Sequence, residues 1–412
     1  MTPSPTNAAF CSFSPQARRP LRGAVALAAA LLASSCATPQ APGGQRSHAD
    51  FLVLDTHLDT PLHFDRAGWD FGARHDLRTD MAQVDLPRME DGALDGGFFA
   101  IYTDQGPLTP QGYADALAFA RTRSDSIDRT IAAFPARIGP ALTPADALSL
   151  DAQGKLIAFK SMENSYPFGE DLALMEEFYG RGVRLASPVH GANNQFADSA
   201  TDEPRWNGLS PLGRQWVAEM NRLGMVIDAS HASDAAFDQM LALSKTPLLL
   251  SHSTAKWAFD HPRNLDDARI RRLAETGGAI CVSTIFLSDL NASGARGPLF
   301  DRFDSIAEMS PAEQEAFSRQ WYALNQTNPV WDTDFDRYME MVLHTIEVAG
   351  VDHVCFSGDW DGGGGFAGLE DISALPRVTE RLRAAGYSDE DLAKMLGGNI
   401  LRVMAAAQAA AE

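Results

Sequence analysis

A histidine and an aspartate stand two residues apart at the end of an apolar run, Phe51-Leu52-Val53-Leu54-Asp55-Thr56-His57-Leu58-Asp59. In a strand, alternate side chains share one face, so the His57 imidazole and the Asp59 carboxylate point the same way. Both groups are ligands for zinc-like cations, and Pro61 then stops the strand. Taken alone, the pair is equally a turn in which Asp59 caps a helix and His57 is merely exposed. The same design recurs, however, at the ends of five further apolar runs: Ser161-Met162-Glu163, Pro188-Val189-His190, Asp228-Ala229-Ser230-His231, Ser251-His252 and Gly358-Asp359-Trp360-Asp361. Histidines and carboxylates without thiolates suit two zinc-like ions. Such ions, about 4 Å apart, share a bridging carboxylate and a water whose pKa falls toward neutrality.

The elements that carry these tips alternate regularly. Strand candidates lie at 51–57, 94–102, 155–162, 183–189, 224–230, 246–251, 278–286 and 352–357, eight in all. Helical patterns fall at 113–133, 171–181, 211–223, 233–244, 265–276 and 371–384. Strand then helix, repeated eight times, points to an α/β fold of the (β/α)8 TIM-barrel type, whose closure gathers the C-terminal strand ends into one cup. The stretch between strands 7 and 8, residues 287–351, is too long for a plain connection and predicts an insertion. It is either a lid over the barrel mouth or a peripheral or oligomer-forming element.

The chain has 412 residues and a formal charge of −20, which disfavours nucleic acid and anionic lipid as partners. Arg18, Arg19 and Arg22 precede an apolar run from Ala24 to Ala33 and then Ser34-Ser35-Cys36, the pattern of an export signal. The run, about ten residues, is too short to span a bilayer. Cys36 after small residues resembles a bacterial lipoprotein cleavage site, with Ala33 where leucine is usual, and Arg18-Arg19-Pro20-Leu21 faintly resembles a twin-arginine signal. The expected organisation is a signal over 1–36, a Pro/Gly-rich tether over 37–48 and a barrel over 49–408. The expected location is exported, periplasmic or at the cell envelope, with Cys36 as the candidate lipid anchor; a homodimer is one compatible assembly. Cys281 and Cys355 lie in apolar runs, as buried hydrophobes or as a bridge.

From residue 51 to about 405 the chain resembles the membrane (renal) dipeptidase family, a zinc branch of the amidohydrolase superfamily. The resemblance is carried by DTHLDTP, the Glu163 strand, GVRLASPVHGANNQFADSA, NGLSPLGRQWVAEMNRLGMVIDASHASD, LLLSHSTAKWAFDHPRNLDD and GDWDGGGGFAGLEDISALP. Residues 164–169, NSYPFG, depart from the family's Gly-Gly-His after the glutamate, which puts the local substrate contacts in question. The resemblance implies that His57 and Asp59 bind the first of two Zn2+ ions, Glu163 bridges, and His231 and His252 bind the second. It implies that His190 polarises the scissile carbonyl and that Asp359 orients the bridging hydroxide and shuttles its proton to the leaving amine. Arg263, with Asn264 beside it, would hold the substrate's C-terminal carboxylate through a forked ion pair. Asp361 shares strand parity with Asp359 and is the alternative in that role. Arg263 could instead pair with Asp266 or Asp267, and Asp228 is expected to orient His231 or to cap locally. His48, His63, His75, His261, His344 and His353 are read as surface or packing residues. Lys160 is rejected as a carboxylated metal bridge because it lies three residues before Glu163, on the opposite strand face.

The expected activity is hydrolysis of dipeptides by a metal-bridging hydroxide, with L,L substrates and, as an open extension, L,D ones. The same centre acting on N-acyl amino acids or β-lactams is the alternative. A barrel that only binds ligands is disfavoured, because no ligand position is missing.

Overall fold

The computed structural model describes residues 45–412 apart from 293 and 304. The expected export signal, Cys36 and residues 37–44 of the expected tether lie outside the described residues. Nine strands form: β1 (Leu54–Leu58), β2 (Gly96–Tyr102), β3 (Ile138–Pro140), β4 (Leu156–Glu163), β5 (Val183–Ala186), β6 (Val226–Ile227), β7 (Leu249–Ser253), β8 (Ala279–Val282) and β9 (Val354–Phe356). All pairings between them are parallel, in the orders β1-β2-β4-β5-β6 and β7-β8-β9. Two single parallel bridges, Asp228 with Leu249 and Leu58 with Trp360, join the two sheets into a ring. Eight strands therefore form the barrel, as expected. The ninth, β3, is a short edge strand on β4 that the sequence reading missed. It is only three residues long and ends in proline, which leaves no periodic signal.

The barrel interior is apolar at its base. Leu54, Phe98, Ile157, Phe159, Leu249, Ala279 and Cys281 from the strands pack with Ile400, Val403, Met404 and Ala407 of the C-terminal helix Asn399–Ala409, which plugs the N-terminal ends of the strands. Inward residues on β4 are Ile157, Phe159, then by parity Ser161 and Glu163, so the same alternation that builds the core delivers a carboxylate to the mouth. Lys160, of opposite parity, turns outward, where its Nζ donates to Ser124 Oγ at 3.2 Å and pairs with Asp128 at 2.7 Å.

Helix starts follow from capping chemistry. Ser210 caps the helix Pro211–Leu223, its hydroxyl accepting from Gly213 N, and Gly224 ends it at φ 70°. Thr109 likewise starts the helix Pro110–Ala132, three residues earlier than its apolar periodicity suggests. Among the described residues between β8 and β9 lie three α-helices, Gly297–Phe303, Pro311–Asn325 and Phe335–Ala349. Two small apolar clusters of their own, around Phe317 and around Trp331, hold the first two against the barrel rim. At the base of this excursion Cys281 and Cys355 are direct register partners and are joined by a disulfide.

Candidate metal centre and substrate cavity

Strand ends β1, β4, β6, β7 and β9 converge on Glu163. Its Oε2 lies 3.3 Å from His57 Nε2, while its Oε1 lies 3.0 Å from His231 Nε2 and 3.5 Å from His252 Nε2. His57 Nε2 is also 3.2 Å from Asp59 Oδ2 and 3.7 Å from Asp359 Oδ1. One carboxylate thus faces two ligand groups, a His57/Asp59 group on one oxygen and a His231/His252 group on the other. Three overlapping sets (His57, Asp59, Glu163; Glu163, His231, His252; His57, His252, Asp359) each bring their ligand atoms within 4.8 Å of one another.

The donors fit cations better than they fit each other. His57 Nε2 is buried and makes no hydrogen bond among the described residues. His231 Nε2 and His252 Nε2 face one another at 2.8 Å, although only one of them can carry the shared proton. No lysine or thiolate enters the cluster, and His/carboxylate donors at this density are those that zinc-like ions take.

The electrostatics agree with a site built for positive charge. Burial pushes Asp359 up to about 7, with Asp59 and Glu163 adding to the effect. Burial also raises Asp59, helped by Glu163 and Asp361. Burial works against the charge of Glu163 too, but the surrounding histidines, His57 foremost, outweigh it and hold that carboxyl well below its usual range. Loss of solvent keeps His231 and His252 well below the ordinary histidine value, so both present neutral imidazoles.

Neighbouring side chains orient these ligands. Asp228 accepts from Ser251 Oγ at 2.5 Å, and that hydroxyl meets His252 Nδ1 at 2.8 Å. The carboxylate therefore positions His252 through a serine and also caps locally, accepting from Ser230 N at 2.9 Å, which is the second of the two roles expected; it does not reach His231, whose Nδ1 has no partner among the described residues. Asp55 ties β1 to β9, accepting from His57 N, Ser357 Oγ and Gly358 N at 2.8–2.9 Å. His231, Asp359 and Asp361 all adopt positive φ, at 68°, 53° and 68°, a strained backbone concentrated where the side chains must be aimed. Strand parity consequently does not relate Asp359 to Asp361. Asp361 is held by Thr60 Oγ1 at 2.7 Å, Gln83 N at 2.6 Å and His63 Nε2 at 3.3 Å, which leaves Asp359 as the carboxylate facing His57. Gly362 follows because a Cβ there would collide with Asp59 Oδ2.

A cavity of about 290 Å³ opens above the cluster. Its floor is Asp59, Glu163, His190, His231, His252 and Asp359, and its roof is apolar, with Ile285, Phe286, Phe300, Phe303 and Trp331 among the residues after β8. His190 stands at the edge, 3.7 Å from Glu163 Oε1, with the Tyr102 ring edge-on at 4.9 Å. Arg263 is 4% exposed. Its Nη2 donates to His252 O at 3.4 Å, its Nε has no partner among the described residues, and its guanidinium lies 5.6 Å from the Phe286 ring. Asp266 and Asp267 pair with Arg269 and with Arg271 and His344, so the local salt bridge considered for Arg263 does not form.

Asn264 departs from expectation. Its carboxamide accepts from Thr254 Oγ1 and donates to Phe259 O at 2.8 Å and Phe286 O at 2.9 Å, so it braces the loop instead of meeting substrate. The NSYPFG segment is likewise internal. Asn164, at φ 70°, donates to Thr103 O and accepts from Tyr166 N and Asn194 Nδ2, while Tyr166 donates to Pro107 O. None of residues 164–169 lines the cavity.

Tyr102, Arg123 and Asp55 were missed from sequence. Tyr102 shares the strand-end signal, as the β2 residue in register with Glu163. Arg123 carries no such mark, because it comes from the middle of a helix.

Three comparisons bear on this site. Residues 45–412 match the profile described as membrane dipeptidase (peptidase family M19). Dipeptidase tcpJ of Claviceps purpurea is 30% identical over 360 residues, 85% of this chain and 76% of its own; Dipeptidase 3 of Mus musculus is 31% identical over 364 residues, 86% of this chain and 64% of its own. Among solved structures, the probable dipeptidase PvdM from Pseudomonas aeruginosa has a TM-score of 0.75 at 29% identity, covering 88% of this chain and 98% of its own.

Proposed function

The chain belongs to the membrane dipeptidase family, peptidase family M19, and is a metal-dependent dipeptidase; from that premise we propose that its cup holds two zinc ions bridged by Glu163. The observation that carries the proposal is the split of the Glu163 carboxylate, one oxygen toward His57 and the other toward His231 and His252. His57 and Asp59 would hold the first ion, and His231 and His252 the second. Bound zinc would supply Lewis acidity and a water acidic enough to ionise near neutral pH.

The remaining work falls to this chain's own side chains. Arg263 binds the C-terminal carboxylate of the dipeptide, completing a buried cation that has no counter-ion of its own. His190, kept below its ordinary value chiefly by loss of solvent and opposed by Glu163, donates from a neutral ring to the carbonyl oxygen as negative charge develops there. Asp359 accepts a proton from the attacking water and delivers it to the departing amine, so that one water and one peptide give two amino acids. The apolar roof excludes bulk water from these steps. Export, with lipid attachment at Cys36, belongs to the same proposal and is supported by the Arg18-to-Cys36 pattern. Among the described residues no helix is long and apolar enough to cross a membrane.

The test is amino-acid release from a panel of L,L and L,D dipeptides, with zinc and with chelator. Chelator-sensitive cleavage of free dipeptides, without cleavage of their C-terminal amides, is the expected result. Cleavage insensitive to chelation, or indifferent to amidation, would overturn it.

A further inference from the structure

A second buried guanidinium borders the cavity, on the β1–β2 side. Arg123 projects from the helix Pro110–Ala132 and is 9% exposed. Its Nη1 donates to the carbonyl of Pro61, and its guanidinium lies 5.2 Å from the Phe119 ring. It lines the cavity beside Asp59, Leu62, Ala100 and Tyr102, and is the only arginine or lysine among the described lining residues. Neither nearby carboxylate neutralises it. Asp65 is taken by Ser126 Oγ at 2.7 Å and Arg129 at 3.2 Å, and Asp59 faces His57 at 3.2 Å. Among the described residues Arg123 forms no ion pair. A cation buried without a partner is costly to keep, and burial draws its pKa below the ordinary arginine value.

Its place in the cavity says what would complete it. With the C-terminal carboxylate at Arg263, beside β7, and the scissile carbonyl above Glu163, the N-terminal residue of a dipeptide extends toward Asp59 and Arg123. Asp59 belongs to the metal site, and the wall beside Arg123 is otherwise Leu62, Ala100 and Tyr102, so a side chain entering it meets one positive charge. We infer that Arg123 receives the side-chain carboxylate of an aspartyl or glutamyl residue at the dipeptide's N-terminal position, making acidic dipeptides the preferred substrate class. This rests on the dipeptidase assignment of the site and adds its selectivity. A guanidinium fork matches a carboxylate in two parallel hydrogen bonds, which an amide of the same shape cannot reproduce.

The decisive comparison is isosteric: kcat/KM for Glu-Leu against Gln-Leu, and for Asp-Leu against Asn-Leu, in the zinc-loaded full chain. In the wild type the acid-to-amide ratio is expected to reach about tenfold or more, chiefly through KM, as one buried charge-assisted hydrogen bond provides. In Arg123→Met the ratio collapses toward one, and in Arg123→Lys it is partly restored, whatever the absolute rates. A wild-type ratio below about twofold would overturn the inference. So would an unchanged ratio in Arg123→Met with all substrates slowed in parallel, the signature of a residue that only braces Pro61. If Arg123→Met fails to accumulate, the wild-type ratio and Arg123→Lys still decide. Failure of the zinc-loaded wild type to cleave any dipeptide is a different result, and would remove the dipeptidase assignment along with this inference.

Discussion

Replacing Arg263 by methionine should make the protein more stable and nearly inactive. The side chain is enclosed, has an unpartnered Nε, and makes one long hydrogen bond to His252 O. Burial draws its pKa from the ordinary arginine value down to about 10, against the attraction of Asp359, Glu163 and Asp228. At 1.36 kcal/mol per unit, keeping that charge in the folded protein costs about 3 kcal/mol. Methionine conserves most of the volume and gives up only the weak hydrogen bond and the ring contact, together about 1–2 kcal/mol. The net gain is then roughly 1–2 kcal/mol, which at about 2.1 cal/mol/K of unfolding entropy per residue raises Tm by about 1–3 °C. Catalysis moves the other way. Removing one partner of a buried, hydrogen-bonded charge pair costs about 3–4 kcal/mol in binding, a fall of about 10²–10³ in kcat/KM. C-terminally amidated dipeptides, which lack the partner anion, should stay as poor for the variant as for the wild type. Steady-state kinetics and thermal melts on the same preparations test both halves. A variant within about threefold of wild type, or one that melts several degrees lower, would show that Arg263 is a structural cation and not a carboxylate receptor.

Glu163→Gln should lower metal content from two ions per chain to one or none and abolish turnover; elemental analysis of a folded variant that retains both ions would refute the bridging role. Cys281→Ala with Cys355→Ala opens a loop of 74 residues, so chain entropy sets the loss at about 4 kcal/mol, or a Tm lower by roughly 6 °C; an unchanged melting temperature would show the bridge to be energetically idle. Asp95 accepts from Val53 N at 2.8 Å, and burial pushes it up to about 6. A carboxyl raised above its unfolded value of 3.8 contributes stability that is fully present below that value and lost as pH rises through about 6. Asp95→Asn, which keeps the acceptor, should therefore gain on wild type by about 1–3 kcal/mol between pH 4 and 7; parallel denaturation midpoints across that range would contradict it.

What was legible in the sequence was what barrel geometry makes regular. Eight apolar runs became eight strands, and polar residues at their C-terminal ends met because closure leaves them nowhere else to go. The site's second tier was illegible for a physical reason: it depends on contacts that no spacing encodes. Asp228 reaches His252 through Ser251, a link made across two strands. Asp359 and Asp361 looked equivalent by parity until positive φ at both took them out of strand geometry. Asn264 is adjacent to Arg263 in sequence, yet backbone carbonyls claim its carboxamide. Arg123 lies on a helix separated from every motif and is brought to the cavity only by packing against Pro61.

The excursion between β8 and β9 leaves the barrel and returns to it at adjacent, hydrogen-bonded and covalently stapled positions. It carries its own small apolar clusters and supplies the cavity roof, while the candidate metal ligands all stand on other strand ends. Such a segment is a cassette in an evolutionary sense. Insertions and exchanges within residues 283–353 change the ceiling a substrate meets while the closure of the ring beneath stays fixed. The part of the chain that shapes the ceiling is thereby separate from the part that closes the ring and carries the polar strand ends.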